Sequence, residues 1–165
     1  MDYQSSITVD RVIEVLAAFV TPFIEGGQVV RAQVNRVPQP TPPCAVLTEL
    51  NQIDLTVPHT DYDDTKAIVG NSTKINVQID FYGDKAGDYC KTVKNAFRSQ
   101  WGYSNFPIDV KPLYTDDGIQ APLITGEQQY ASRWILTVAM QYNPTVQMPQ
   151  QSATEAVVTE IYNLP

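Results

Sequence analysis

In two segments of this chain, apolar and polar residues alternate with a period of two. This period is typical of an extended strand and not of a helix. From Lys74 to Tyr82 the apolar positions are Ile75, Val77, Ile79 and Phe81. From Gln128 to Tyr142 the alternate positions are Tyr130, Trp134, Leu136, Val138, Met140 and Tyr142. Successive side chains of a strand point to opposite faces, so each segment predicts a strand with one buried face. At this length, the second strand is expected to span a whole sheet.

Two other segments repeat apolar residues at three- and four-residue steps, which is typical of amphipathic helices. The first runs from Thr8 to Ile24, with Thr8 as its N-cap and Pro22 near its end. Pro22 is expected to kink the last turn or to end the helix earlier. The second runs from Asp84 to Gln100, with Asp84 as its N-cap, and Trp101-Gly102 is expected to end it.

Three further segments are predicted to be strands: Gln28 to Val37, Cys44 to Val57, and Ile108 to Tyr114. The third is bounded by prolines and therefore suits a sheet edge. In the long second segment, one alternating set of residues is expected to share a face, and its members are Leu47, Glu49, Asn51, Ile53 and Leu55.

Four prolines lie between the first two of these strands, in "VNRVPQPTPPCAVLTEL". The PxxP spacing from Pro40 to Pro43 is found in ligands of SH3 domains. Because it stands between two strands of one domain, we interpret it as a stiff connector.

Pro58 to Thr73 has neither a helical nor a strand period, and it predicts an extended loop or the tip of a long hairpin. The residues after Tyr142 begin with a Pro-, Gln- and Thr-rich stretch and end in "EAVVTEIYNLP". We expect residues 1–145 to form one domain and 146–165 an extended C-terminal arm.

The order of elements favours an α+β domain, in which a mainly antiparallel sheet carries two amphipathic helices on one face. A doubly wound parallel sheet would need more crossover helices.

The formal net charge of −7, with 11 scattered Lys and Arg residues, argues against a protein that wraps nucleic acid. The sequence has no apolar run of about 20 residues for a membrane helix, and its N-terminus lacks the design of a signal peptide. Cys44 and Cys90 lie in apolar surroundings, so buried thiols are favoured over a disulfide.

Enzyme motifs are absent from the sequence, and we predict neither catalysis nor a cofactor. His59 stands among turn residues without a visible nucleophile, so a solvated loop histidine is favoured over a catalytic base. The cluster Asp61, Asp63 and Asp64 lacks the glycine and the terminal Glu of a calcium loop, so a hydrated loop is favoured over a metal site. Arg133 and Trp134 could belong to a base-stacking platform, but the alternation around them favours the core.

Four features together resemble the tail-terminator proteins of long-tailed bacteriophages, and the neck terminators in particular. These are the apolar first helix, the proline connector leading into a long strand, "KINVQIDFYG" followed by a helix, and "GEQQYASRWILTVAMQYN". The resemblance covers about Ser6 to Tyr142 and rests on patterns, not on a catalytic signature.

The resemblance implies a structural virion protein that forms a ring, commonly of six copies. Such a ring caps the tail tube, ends its polymerisation and joins the tail to the head-side connector at the neck. The implied partners are further copies of the chain, the tube protein, the connector proteins and, in a contractile tail, the sheath protein. DNA would pass through the ring without specific binding, no membrane would be involved, and assembly would take place in the host cytoplasm. The alternative is a head–tail adaptor or a tail assembly chaperone.

Two groups of residues are candidates for contacts in such a ring. The first follows the long strand into the acidic segment: Leu47, Glu49, Asn51, Ile53, Leu55, His59, Asp61, Tyr62, Asp63 and Asp64. The second comprises the apolar residues of the arm: Val157, Val158, Ile161, Tyr162 and Leu164.

Overall fold

A computed structural model describes residues 3–32, 38, 40–63, 65–121, 123–124 and 130–150. Its helices are α1 (Val9–Val20), α2 (Ala86–Phe97) and α3 (Gln100–Asn105). Its strands are β1 (Gln28–Arg31), β2 (Cys44–Asp54), β3 (His59–Asp63), β4 (Lys66–Gly70), β5 (Thr73–Tyr82), β6 (Val110–Thr115), β7 (Ile119–Gln120), β8 (Leu123–Ile124), β9 (Tyr130–Ala131), β10 (Arg133–Tyr142) and β11 (Thr145–Pro149).

The main sheet has the strand order β1-β2-β5-β10-β6, and β7 also pairs with β10. The two strands that the sequence predicts most clearly, β5 and β10, pair antiparallel in the centre of this sheet. The predicted inward residues of β5 are 0% exposed, from Ile75 to Phe81. The mainly antiparallel α+β class is therefore confirmed, and β6 is confirmed at an edge.

One pairing differs from the expected hairpin-like order, because β1 runs parallel to β2. Parallel neighbours need a crossover of about a dozen residues or more, and residues 32–43 provide it. The proline connector lies in this interval, and residues 33–37 and 39, which include the end of the strand predicted up to Val37, lie outside the described residues. Its Pro42–Pro43 peptide bond is cis, and the Pro40 carbonyl accepts a hydrogen bond from the Cys44 thiol at 3.4 Å.

The helices pack on the sheet face that carries the buried residues of β5 and β10. Val12, Leu16 and Val20 of α1 and Val93 and Phe97 of α2 belong to one core cluster with those strands. The predicted packing of two helices on one face is confirmed.

The predicted start of α1 is confirmed, since the Thr8 side chain accepts a hydrogen bond from the Arg11 N–H at 3.2 Å. A 3-10 turn, Thr21–Phe23, follows α1 and contains Pro22. This agrees with an early end of the regular helix.

The predicted bounds of the second helix are wrong at both ends. Its N-cap is Lys85, without a side-chain hydrogen bond, and not Asp84. The reason is a turn at Gly83, which has a φ of 119° and accepts a hydrogen bond from the Ala86 N–H at 3.0 Å. At the other end, the Ser99 hydroxyl accepts a hydrogen bond from the Gly102 N–H and so caps a separate helix, α3.

A β-bulge interrupts the long strand β2. Glu49 lies opposite Val77, but Asn51 lies opposite Asn76, so Leu50 is the extra residue. Because side chains alternate with a period of two, one extra residue transfers all later residues to the opposite faces. The single face predicted for the alternating set of β2 is therefore wrong.

The opposite face of the main sheet carries a buried ion pair. Asp80 is 4% exposed, and the Nε and Nη2 atoms of Arg133 lie 2.9 and 2.7 Å from its Oδ1 atom. Gln78 Nε2 donates to the other carboxylate oxygen at 2.8 Å. Although partial burial lowers the pKa of Arg133, the hydrogen bond and the charge of Asp80 raise it further. Arg133 therefore stays protonated in the folded chain.

Both cysteines are buried thiols, as predicted. Burial raises the pKa of the Cys90 thiol, and the nearby Lys94 and Lys91 partly oppose this shift. Among the described residues, no helix has the length and apolar character to cross a membrane.

Candidate assembly surface

A second sheet, with the order β11-β4-β3, lies beyond the end of the main sheet. Its strands β3 and β4 form a hairpin between β2 and β5. The hairpin alternative for Pro58 to Thr73 is thereby confirmed, and the extended loop is wrong. The first residues of the predicted arm, 146–149, pair with β4 instead of leaving the domain.

Backbone hydrogen bonds anchor the second sheet at its base. The Leu55 N–H donates to the Ser72 carbonyl at 2.8 Å, and the Ser72 N–H donates to Thr56 Oγ1 at 3.0 Å. On the other side, the Ser6 N–H donates to the Thr145 carbonyl at 2.9 Å. These bonds join the second sheet to the main sheet and to the residues before α1.

Gly70 makes the close packing at this base possible. A Cβ atom placed on Gly70 would lie 2.8 Å from Thr145 Cγ2 and 3.1 Å from the Pro144 carbonyl oxygen. Any side chain would therefore push β11 away from β4.

One face of the second sheet is apolar. In antiparallel strands, directly opposed residues share a face; Tyr62 lies opposite Ala67, and Met148 lies opposite Ala67 on the other side. The next row contains Val69, Val146 and, on β3, Thr60. Tyr62 is 72% and Met148 is 43% exposed. Large apolar side chains that are this exposed on one surface are typical of an interaction site.

The other face of the second sheet, called the acidic face below, carries Asp61 and Asp63, although Ile68 of β4 lies opposite Asp61 at its centre. His59, Asp61 and Asp63 alternate along β3 and are exposed, and Lys66 of β4 lies opposite Asp63. The His59 Nε2 and Asp61 Oδ2 atoms are 3.8 Å apart. His59 is solvent-exposed, as predicted, but it lies on a strand and not in a loop.

The structure separates the predicted contact residues of β2 into two groups. Leu47 is 0% exposed and lies in the core of the subunit, so its assignment to a contact surface is wrong. Its partner across the sheet is Ile79, which is also fully buried. Glu49 is half-buried, and its Oε2 atom lies 3.8 Å from Arg31 Nη2.

Past the bulge, the predicted residues are exposed. Asn51 Oδ1 accepts a hydrogen bond from Asn76 Nδ2 at 2.7 Å on the open face of the main sheet. Ile53 is 41% exposed and lies opposite Lys74 on the same face. Leu55 is 46% exposed where the chain passes towards the second sheet. These residues remain candidate contacts, together with those of β3.

Beneath this region, Tyr142 and Gln52 connect β10 to β2. The Tyr142 hydroxyl donates to Gln52 Oε1 at 2.9 Å. Burial raises the pKa of Tyr142, and the charges of Glu49 and Asp54 add to this shift. The phenol therefore keeps its proton and its role as a donor at neutral pH.

The remaining candidates lie outside the described residues. They are Asp64 and the arm residues Val157, Val158, Ile161, Tyr162 and Leu164. Within the described residues, no group of three or more His, Cys, Asp or Glu side chains is placed to hold a metal ion.

Sequence reasoning missed most of the apolar face of the second sheet. Ala67 and Val69 alternate in "KAIVG", and Val146 and Met148 alternate in "TVQMP". Each run is only a few residues long, so the alternation is a weak signal until the strands are paired.

Comparison with protein families gives one match. A sequence model of the family described as phage neck terminator protein matches residues 10–163. A search of curated proteins finds no match. The family match confirms the resemblance to neck terminators, and it extends through most of the C-terminal arm, beyond the Tyr142 limit of the resemblance.

Proposed function

The chain belongs to the phage neck terminator family, a family of structural proteins of the virion tail neck, and on this basis we propose that it forms a closed ring on the tail tube. The ring, commonly of six copies, caps the tube, ends its polymerisation and joins the tail to the head-side connector. The observation that carries this proposal is the second sheet, whose apolar face is exposed in the isolated subunit.

A head-to-tail ring needs two different and complementary surfaces on each subunit. The main sheet ends at β1 on one side and at β6 on the other, and the second sheet ends at β3 and β11. Such edges and the apolar face offer unlike surfaces on opposite parts of the subunit. These unlike surfaces support the proposal of a repeating head-to-tail contact.

We assign the apolar face of the second sheet to a contact with a neighbouring subunit or with the tube protein. Tyr62 is the expected anchor, because aromatic side chains are enriched at the centres of interfaces. The connector proteins bind the opposite end of the ring, and a sheath protein, in a contractile tail, surrounds it.

The acidic face of the second sheet fits the passage of DNA. Carboxylates repel the phosphate backbone, whereas a surface of Lys and Arg would bind it. Asp61, Asp63 and Asp64 then line the lumen or face basic neighbours. Replacing all three with Lys is expected to slow genome ejection or to block joining. A matched control places three lysines on exposed aspartates outside the second sheet, namely Asp84, Asp88 and Asp116.

The arm is assigned to an adjacent protein in the neck. Deleting Ser152–Pro165 is expected to weaken neck assembly, while the urea unfolding midpoint of the remaining chain stays unchanged. If the shortened chain assembled as well as the full-length chain, the assignment of the arm to a contact in the neck would be refuted.

The proposal is tested by the length of the tails and by the position of the protein. A phage whose gene for this chain is disrupted should produce headless tails of irregular, excessive length, measured by electron microscopy. Labelled protein should lie at the head-proximal end of the tube in intact virions, after assembly in the host cytoplasm. Protein that is present during tail assembly but absent from mature virions would instead indicate an assembly chaperone.

A further inference from the structure

A groove on the helical side of the subunit has no role in the function proposed above. It has a volume of about 600 Å³ and lies between α1 and α3. Its apolar lining includes Val15, Ala18, Phe19, Pro22, Trp101 and Phe106. This volume is in the range of sites that hold ligands or anchoring side chains.

The lining of the groove is held in place by aromatic packing. Phe19 and Phe106 have ring centroids 4.7 Å apart, and Trp101 contacts Phe19 and Phe23 with centroid distances of 6.1 and 6.3 Å. Phe19 and Phe106 are buried, but Trp101 remains 57% exposed. Trp101 is therefore held in place by its neighbours, while its exposed ring surface is available to contact a bound segment.

Arg11, which lines the groove, forms an ion pair with Asp109. Arg11 Nε donates to Asp109 Oδ2 at 3.1 Å, which lowers the pKa of that carboxyl group. Polar groups at the rim and apolar groups in the centre are the arrangement of a site for an amphipathic segment.

The sequence beyond Gln150 contains a matching segment. Val157, Ile161 and Leu164 are spaced i, i+4 and i+7. This is the spacing with which apolar anchors of an amphipathic helix enter a groove.

The point where the chain leaves the second sheet limits how far this segment reaches. The Gln150 N–H donates to the Thr65 carbonyl at the hairpin turn, 3.1 Å away. This turn is at the far end of β11 from Thr145, a distance of roughly 17 Å at about 3.3 Å per residue. The seven residues from 151 to 157 extend over at most about 25 Å. If residues 151–157 ran back alongside β11, they would use about two-thirds of their 25 Å before they reached the residues that precede α1.

We propose that residues 154–164 of one subunit bind in the groove between α1 and α3 of a neighbouring subunit. This inference rests on the proposed ring and names the contact that the arm makes in it. Each subunit then donates an arm and receives one, so the contact repeats around the ring without an unfilled groove.

The test uses the full-length chain with Tyr162 replaced by the photoreactive residue p-benzoylphenylalanine. Equal amounts of nitrogen-15-labelled and unlabelled chain are added to purified tails that lack the protein. After irradiation, cross-linked peptides are identified by mass spectrometry. Cross-links from Tyr162 of a labelled chain to α1 or α3 of an unlabelled chain are the expected result.

Cross-links to the groove that occur only within chains of one label, with no pair of a labelled and an unlabelled chain, would show that the arm folds back on its own subunit and would overturn the inference. Cross-links from Tyr162 to the tube or connector proteins would also overturn the inference. The same holds if no cross-links form on tails that carry the protein. Failure of the protein to bind tails at all would refute the ring itself, which keeps the two failures distinct.

A pair of variants tests the groove directly. Ala18→Glu places a charge in the groove at an exposed position of α1 and should reduce the cross-link yield at least tenfold. Thr92→Glu places the same charge on an exposed position of α2 outside the groove and should leave the yield unchanged. Equal yields for the two variants would contradict the assignment.

Discussion

The exposed face of the second sheet makes a quantitative prediction for Tyr62→Ser. An aromatic side chain buries about 150–250 Å² when fully covered, and 72% of Tyr62 is exposed in the isolated subunit. A partner could therefore cover roughly 110–180 Å², worth about 2.7–4.5 kcal/mol at about 25 cal/mol/Å². Part of this is offset by the cost of ordering the interface. We expect a loss of about 2 kcal/mol, which is about 30-fold in affinity.

The assay is complementation in vitro. Purified protein is titrated into an extract of heads and of tails that lack it, and the concentration that restores half of the infectious particles is measured. Tyr62→Ser should raise this concentration about 30-fold. Its stability should change by less than about 0.5 kcal/mol, because the side chain is exposed in the subunit.

Ile119→Ser is the matched control. Ile119 is 64% exposed and pairs with Ile135, towards the end of β10 away from the second sheet. If Tyr62→Ser and Ile119→Ser both restored infectivity at the wild-type concentration, the apolar face would not be a contact in the neck, and the reasoning from exposure would be refuted.

Three further predictions concern the subunit and are measured by urea unfolding. Arg133→Met leaves the 4%-exposed Asp80 without its guanidinium partner and should destabilise the fold by about 3 kcal/mol, whereas adding Asp80→Asn should recover at least half of the loss. Leu47→Ala should cost about 2–5 kcal/mol because Leu47 is fully buried; a change below about 0.5 kcal/mol would place it on the surface after all. Asp109→Asn should cost less than about 1 kcal/mol. Because Arg11 lowers the folded pKa of Asp109, this cost is present above the ordinary Asp pKa of about 3.9 and should disappear as pH falls through the lower folded value. A cost that stays constant down to pH 2 would contradict the ion pair.

The central strands could be predicted from the sequence because their signal is local. In β5, each inward residue from Ile75 to Phe81 is apolar and its neighbours are polar, so the burial pattern can be read without knowing any partner. The same holds for α1, whose apolar stripe and Thr8 cap are both contained in one short segment. These elements form the centre of the fold.

The elements that could not be predicted depend on contacts between distant residues. The parallel direction of β1 is defined by its pairing with β2, which begins thirteen residues after β1 ends. In the second sheet, β11 supplies Val146 and Met148 to a hairpin that lies far before it in the chain. Short alternating runs of this kind become strands because they pair with other strands. The sequence of a single run does not indicate its partner.

The bulge in β2 explains why only some of the candidate contact residues on this strand are exposed. Leu47 and Leu55 belong to the same alternating series, yet one is 0% and the other 46% exposed. The extra residue, Leu50, lies between them and reverses which face the later residues occupy. Consequently Ile53 moves to the open face beside Lys74, and Lys74 Nζ donates to the hydroxyl of Tyr114, which is 47% exposed. The bulge thus places Ile53 on the open face of the main sheet, at the end of β2 from which the chain continues to the second sheet.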